Sequence, residues 1–364
     1  MKKIHSITGL PHTRAESLSA APPASHRAVA IWLWSLAGLV FLMVIVGGAT
    51  RLTESGLSIT EWKPLSGIIP PLSLAQWLAE FENYKKIPQY ARIFPDMDLG
   101  GFKFIFLFEW SHRLLGRLIG LAMVVPLVYF WAKGRLPLGF KPKLLGVLML
   151  GALQGFAGWW MVKSGLTGRV EVAQERLAIH LLLASLTFAA LVWLAASLKA
   201  RGDELPQHLR PGLKWFAGGT VLLVLLQIGL GALVAGLRAG RAFNTWPLID
   251  GYFWPPLDKL TLLSPLWRNF LDNVLLVQFQ HRMTAYVLLA VALAQALYAS
   301  RVAAGSRAER RALAVAGLVA MQALIGIVTL VLAVPLWTGL LHQTFAMIVL
   351  GMAVAHAQAL SKAG

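Results

Sequence analysis

The chain has 364 residues, 57% of them hydrophobic and only 13% charged, with 14 Trp, no Cys and a formal net charge of +17; its mean hydropathy is +0.65. A soluble core could not bury so much apolar surface, so the composition specifies a polytopic membrane protein. Lys and Arg are dispersed in hydrophilic joints between apolar runs, which argues for membrane loops rather than nucleic-acid binding, and the lack of cysteine excludes disulfides, Cys-ligated zinc, iron–sulfur clusters and thiol catalysis.

Residues 1–28 hold Lys2, Lys3 and scattered Pro and Ser without an apolar core, and read as a cytoplasmic tail rather than a cleavable signal. Apolar runs of about 20 residues, enough to cross about 30 Å of hydrocarbon, then predict eight membrane helices at 29–49, 103–131, 144–163, 176–198, 213–237, 272–299, 312–333 and 336–358. Lys133, Arg135, Lys141 and Lys143 crowd the second joint. Lys199, Arg201, Arg210 and Lys214 crowd the fourth, and Arg301, Arg307, Arg310 and Arg311 the sixth. Positive joints face inward, so both termini are predicted to be cytoplasmic. The long first and fifth joints, the third, and the uncharged seventh around Ala333–Leu336 face outward.

The chain is internally duplicated. The outer-loop stretch Glu61-Trp62-Lys63-Pro64 through Pro70-Pro71 is echoed by Thr245-Trp246-Pro247 through Pro255-Pro256, and Phe108-Glu109-Trp110-Ser111-His112-Arg113 by Val277-Gln278-Phe279-Gln280-His281-Arg282. Gln154 is matched by Gln322, and His180 by His342. The predicted fold is therefore an all-α polytopic membrane protein of eight helices in two parallel four-helix-bundle repeats, 29–200 and 213–360, related by an axis along the membrane normal.

Charged and ionisable residues within membrane spans are functional candidates by default. His112 and His281 lie about nine residues, or roughly 13 Å, from the outer ends of their spans; His180 and His342 lie roughly 6 to 9 Å in. All four fall in the outer half of the bilayer, two per repeat, where imidazoles from facing helices can hold one iron. A single such histidine is more often interfacial than a ligand; four in register across a duplication favour ligation. His5, His12, His26 and His208 stand in polar segments and read as solvated. His356 follows His342 by the spacing that suits stacked haems, yet the corresponding positions after His112, His180 and His281 are Pro126, Leu194 and Gln295, so it reads as structural.

The repeats differ chemically. Glu109 shares a helical face with His112, whereas Gln278 stands beside His281. A carboxylate in a low-dielectric site can move protons or position water, and an amide cannot. The first half is expected to perform chemistry and the second to hold a permanent haem; the competing reading is that Glu109 only neutralises Arg113 or Arg117. Arg51, Arg113, Arg238 and Arg282 suit either haem propionates or lipid headgroups. Trp62, Trp159, Trp160, Trp246 and Trp254 fit an aromatic belt, and Pro70-Pro71 and Pro255-Pro256 restrain the outer loops.

The run Gly47-Gly48-Ala49-Thr50-Arg51-Leu52-Thr53-Glu54-Ser55-Gly56-Leu57-Ser58, with Trp62-Lys63-Pro64, Gly67, Pro70-Pro71 and Glu109-Trp110-Ser111-His112-Arg113, resembles the heme A synthase family. The resemblance runs from the first helix to the last. It implies oxidation of the C8 methyl of heme O to the formyl of heme A, with His112 and His180 ligating the substrate haem, Glu109 as catalytic carboxylate, and His281 and His342 ligating a cofactor heme b. It also implies a bacterial inner-membrane location, and heme O synthase and cytochrome c oxidase assembly factors as partners beside membrane lipid. The chain lacks the paired outer-loop cysteines of some members and is similar to the cysteine-free type of proteobacteria and mitochondria. The alternative from another class is a diheme b-type cytochrome passing electrons between quinone and an outer-face partner. It explains the histidines but gives the Glu109/Gln278 difference no role.

Overall fold

A computed structural model describes residues 24–63, 66–198 and 210–361. His5, His12, His208, Pro64, Lys199, Arg201 and most of the 1–28 tail lie outside the described residues. The helices are α1 (Ala24–Leu52), α2 (Leu74–Lys85), α3 (Pro88–Ile93), α4 (Leu99–Ala132), α5 (Phe140–Gly165), α6 (Gln174–Ser197), α7 (Arg210–Gly236), α8 (Ala239–Ala242), α9 (Leu257–Leu260), α10 (Asn269–Asp272), α11 (Val274–Val302), α12 (Arg307–Val331) and α13 (Leu336–Ser361). Among the described residues the extended structure is limited to an isolated bridge between Ile249 and Tyr252.

Eight helices, α1, α4, α5, α6, α7, α11, α12 and α13, are long and apolar enough to cross a membrane, and they coincide with the eight predicted runs. The ends differ by a few residues because polar caps, not hydropathy, set them. Asp98 accepts from Gly101 N at 2.7 Å and starts α4 ahead of its apolar run. Asn273 accepts from Leu275 N and Leu276 N at 3.0 and 3.2 Å and starts α11. Ser306 accepts from Glu309 N at 3.1 Å and starts α12.

Helix α1 packs against α4 and α6, and α5 against α6; in the second half α7, α11, α12 and α13 pack in a ring. Helices α1, α6, α7 and α13 meet at the centre, where Leu33, Leu36, Leu191, Met347 and Leu350 are almost fully buried. The central helices approach closely where one lacks a side chain. A Cβ at Gly48 would overlap Gln343, whose amide donates to Val44 O at 2.6 Å and ties α13 to α1.

The first outer joint, expected as a loop, contains α2 and α3. Ser73 and Gln76 form a capping box that starts α2. Phe81 and Tyr84 pack on Phe102, Ile105 and Phe106 of α4 and on Leu57 and Ile59 after α1, with the Phe81 and Phe102 rings stacked 4.9 Å apart. Burial pushes the Tyr84 hydroxyl pKa up, so it stays neutral and donates to Gln89 Oε1 at 3.0 Å. This small apolar unit fixes the chain from Leu57 to Ile59 over the outer part of α4.

Candidate functional site

Glu109 is 2% exposed on α4, and both its oxygens are engaged. Oε2 accepts from Ser58 Oγ at 2.7 Å and Ile59 N at 2.8 Å. Oε1 accepts from Arg113 Nη2 at 2.6 Å and Nε at 3.1 Å. Arg113 in turn donates to Ile59 O at 2.9 Å. The pairing with Arg113 anticipated in the sequence is thus present, and it leaves Glu109 a rigidly oriented carboxylate. Arg117 donates to Lys63 O at 3.0 Å.

Gln278 occupies the corresponding place on α11 and is equally buried. Its Nε2 donates to Ala239 O and Phe243 O at 3.0 and 2.8 Å, and its Oε1 accepts from Arg282 Nη2 at 3.2 Å. The substitution is matched by the loops: the first half presents a hydroxyl and an N–H to a carboxylate, the second presents two carbonyls to an amide. Arg282 is 8% exposed and donates to Phe243 O and Leu248 O; among the described residues it pairs with no carboxylate, and its Nε is buried without a partner.

The four histidines each lie against a glycine on a neighbouring helix, where a Cβ would crowd the ring, most severely at Gly326. A Cβ would fall 3.3 Å from His112 Nε2 at Gly47, 3.0 Å from His180 Cε1 at Gly158, 3.1 Å from His281 Cε1 at Gly231 and 2.8 Å from His342 Cε1 at Gly326. His281 and His342 face one another with ring centroids 6.5 Å apart and planes 79° apart. Among the described residues no group of three or more His, Cys, Asp or Glu could hold a metal ion. His356, 1% exposed, sits apart, its Nδ1 accepting from Arg311 Nε at 3.4 Å.

Arg51 and Arg238 converge from the two halves on acids that the sequence did not single out. Arg51 donates to Glu171 Oε2 at 2.5 Å, and Arg238 pairs with Glu171 Oε1 and with Glu54 Oε1, the latter at 2.6 Å. Arg51 also donates to Ala235 O at 3.1 Å. Both arginines are thus already paired with carboxylates, Arg51 keeping a buried Nε without a partner. Of the five tryptophans expected in an aromatic belt, Trp62, Trp246 and Trp254 are exposed, while Trp160 carries the Arg176 guanidinium 4.5 Å above its ring.

Residues 30–354 match the family model described as Cytochrome oxidase assembly protein. The chain is 70% identical to a heme A synthase of Beijerinckia indica subsp. indica over 92% of its own length and 94% of that protein. It is 54% identical to a heme A synthase of Methylobacterium sp. strain 4-46, covering 94% of this chain and 96% of the relative, and 52% identical to one of Bradyrhizobium diazoefficiens, covering 94% of each.

Proposed function

Because the chain belongs to the cytochrome oxidase assembly protein family, we propose that it acts as a heme A synthase, a membrane oxidoreductase that converts the C8 methyl of heme O to the formyl of heme A for cytochrome c oxidase. The relatives' names support the reaction. The observation that carries the haem chemistry is the facing pair His281 and His342. Their ring centroids lie 6.5 Å apart with planes 79° apart, close enough for both imidazoles to serve one haem, and a heme b held there would supply a one-electron relay.

The substrate, heme O, is held in the first half by His112 and His180. Two successive hydroxylations of the methyl carbon, each taking its oxygen from water and releasing two protons and two electrons that an external electron acceptor would remove, give a geminal diol that loses water to leave the aldehyde. Glu109 accepts or relays the released protons or holds the attacking water, while Ser58, Ile59 N and Arg113 keep its carboxylate oriented. An electron carrier would need no such difference between the halves. Arg282, buried without a carboxylate partner among the described residues, is the best placed of Arg51, Arg113, Arg238 and Arg282 to receive a propionate. The halves 29–200 and 213–360 act as parallel repeats, supported by matching helix neighbours. The basic joints between α4 and α5 and between α11 and α12 support cytoplasmic termini, and hence haem sites in the outer half of a bacterial inner membrane. Heme O synthase and oxidase assembly factors are the partners this role calls for.

The cofactor assignment is tested by the reduced-minus-oxidised spectrum of purified His281→Ala: the b-type signal is expected to disappear, and a signal equal to that of the unsubstituted protein refutes it.

A further inference from the structure

The two halves differ in how their second and third membrane helices meet. In the second half α11 and α12 pack closely, whereas the matching helices of the first half, α4 and α5, barely touch. Their apolar packing lies at the two ends. On the inner side Leu144 and Val147 of α5 share a buried cluster with Met123, Leu127 and Phe130 of α4. On the outer side Val162, and Leu166 just after α5, pack against the cluster that holds Phe102 and Phe106.

Between those ends stand glycines at a common depth. Gly120 lies twelve residues before the end of α4 at Ala132 and Gly151 eleven after the start of α5 at Phe140, so both are about 17 Å from the inner ends at 1.5 Å per residue. Gly155 is one turn further out on α5. All three are exposed, and a Cβ at any of them would meet nothing within 4 Å. Their counterparts in the second half are filled. Counted from His281 and Gln322, which match His112 and Gln154, Gly120 becomes Leu289, Gly151 becomes Val319 and Gly155 becomes Ala323. Val319 is 3% exposed, and Leu289 packs on the central core.

The gap leads to a candidate ligand of the substrate haem. Gly151 shares a helical face with Gly158, two turns or about 10 Å further out, and Gly158 meets the ring of His180, whose Nδ1 is buried without a partner. Resting on the reading that His112 and His180 hold heme O, we propose that the gap between α4 and α5 is the membrane-side door of the substrate site. Heme O enters through it edge-on, heme A leaves the same way, and the farnesyl chain of the bound haem lies in the gap along Gly120, Gly151 and Gly155. The chain then passes from lipid into protein without crossing water, where so long a hydrocarbon is strongly disfavoured. A side chain at any of the three glycines would take the space the farnesyl chain needs. Leu289 and Val319 close the matching door in the second half, which keeps its haem in place.

The test uses full-length protein, purified with its heme b into lipid nanodiscs and titrated with heme O and with protohaem, which lacks the farnesyl chain. Gly120→Leu combined with Gly151→Val gives the first half the side chains of the second. Uptake of heme O is expected to slow about tenfold or more, the scale of an overpacked site. The equilibrium affinity is expected to fall about tenfold for heme O and to hold for protohaem. An unchanged b-type spectrum shows that the variant has folded. Unaltered uptake and affinity of heme O, the result if membrane lipid alone covers the gap, overturn the proposal, and so does an equal loss of affinity for both haems. If the double variant loses its b-type signal, Gly155→Leu carries the same test. Binding of heme O that His112→Ala leaves unchanged would instead remove the reading on which the proposal stands, and the proposal with it.

Discussion

Replacing Glu109 with Gln exchanges one oxygen for an NH2 group in a site whose every other partner is spoken for. With the amide nitrogen toward the loop, Ile59 N–H loses its acceptor, and with it toward Arg113, two donors confront one another. Either orientation leaves a buried donor unpaired, at about 1–3 kcal/mol. The Arg113 guanidinium also loses its buried counter-ion, and removing one partner of a buried pair costs about 3–5 kcal/mol. The two figures overlap because Arg113 keeps its bonds to Ile59 O and Glu61 O, so a net loss of about 2–4 kcal/mol is expected. Equilibrium unfolding in mixed SDS micelles, followed by helical circular dichroism, measures it. A Glu109→Gln protein as stable as the unsubstituted one would refute the assigned bonding. One that is destabilised yet converts heme O at the normal rate would keep the bonding and refute the catalytic role.

Other expectations follow from the same geometry. Gly326→Ala would press a Cβ to 2.8 Å from His342 Cε1 and is expected to lower heme b content in the purified protein, whereas Gly155→Ala meets nothing within 4 Å and should leave the spectrum unchanged. Glu171→Gln weakens the acid shared by Arg51 and Arg238 and brings two cations into repulsion; a loss of about 1–2 kcal/mol, reduced by partial exposure, should appear in the same micelle titration. Gln278→Glu would turn a carboxylate toward Ala239 O and Phe243 O, so this variant should be less stable, not more active. The Lys63 pKa is raised by hydrogen bonds to Glu61 and Glu80. The link to α2 is therefore full below the ordinary lysine value of 10.5 and fades as pH climbs through the folded one, with proteolysis of the 61–80 segment as the readout. Cleavage no faster at high pH would count against that link.

The membrane helices were legible because length and hydropathy decide a span, and the duplication made His112, His180, His281 and His342 stand out together. Their ends were not, since Asp98, Asn273 and Ser306 cap helices by hydrogen bonds that hydropathy does not register. Helix α2 was missed as an interfacial amphipathic segment, although Ser73-Leu74-Ala75-Gln76 followed by Trp77, Phe81 and Tyr84 was a readable start signal. The Glu109/Gln278 contrast was visible, but not its cause: which loop groups face those side chains depends on how the chain after α1 and α7 returns over the helix. Glu171 lies far in sequence from both Arg51 and Arg238, so local reading could not pair them.

The most direct measurement is mass analysis of the pigments extracted from cells that express the chain and make heme O, with Glu109→Gln in parallel. Heme A or its hydroxylated intermediate is expected from the unsubstituted chain, and unmodified heme O from the variant. Heme O alone from the unsubstituted chain, with an intact b-type spectrum, would contradict the synthase reading.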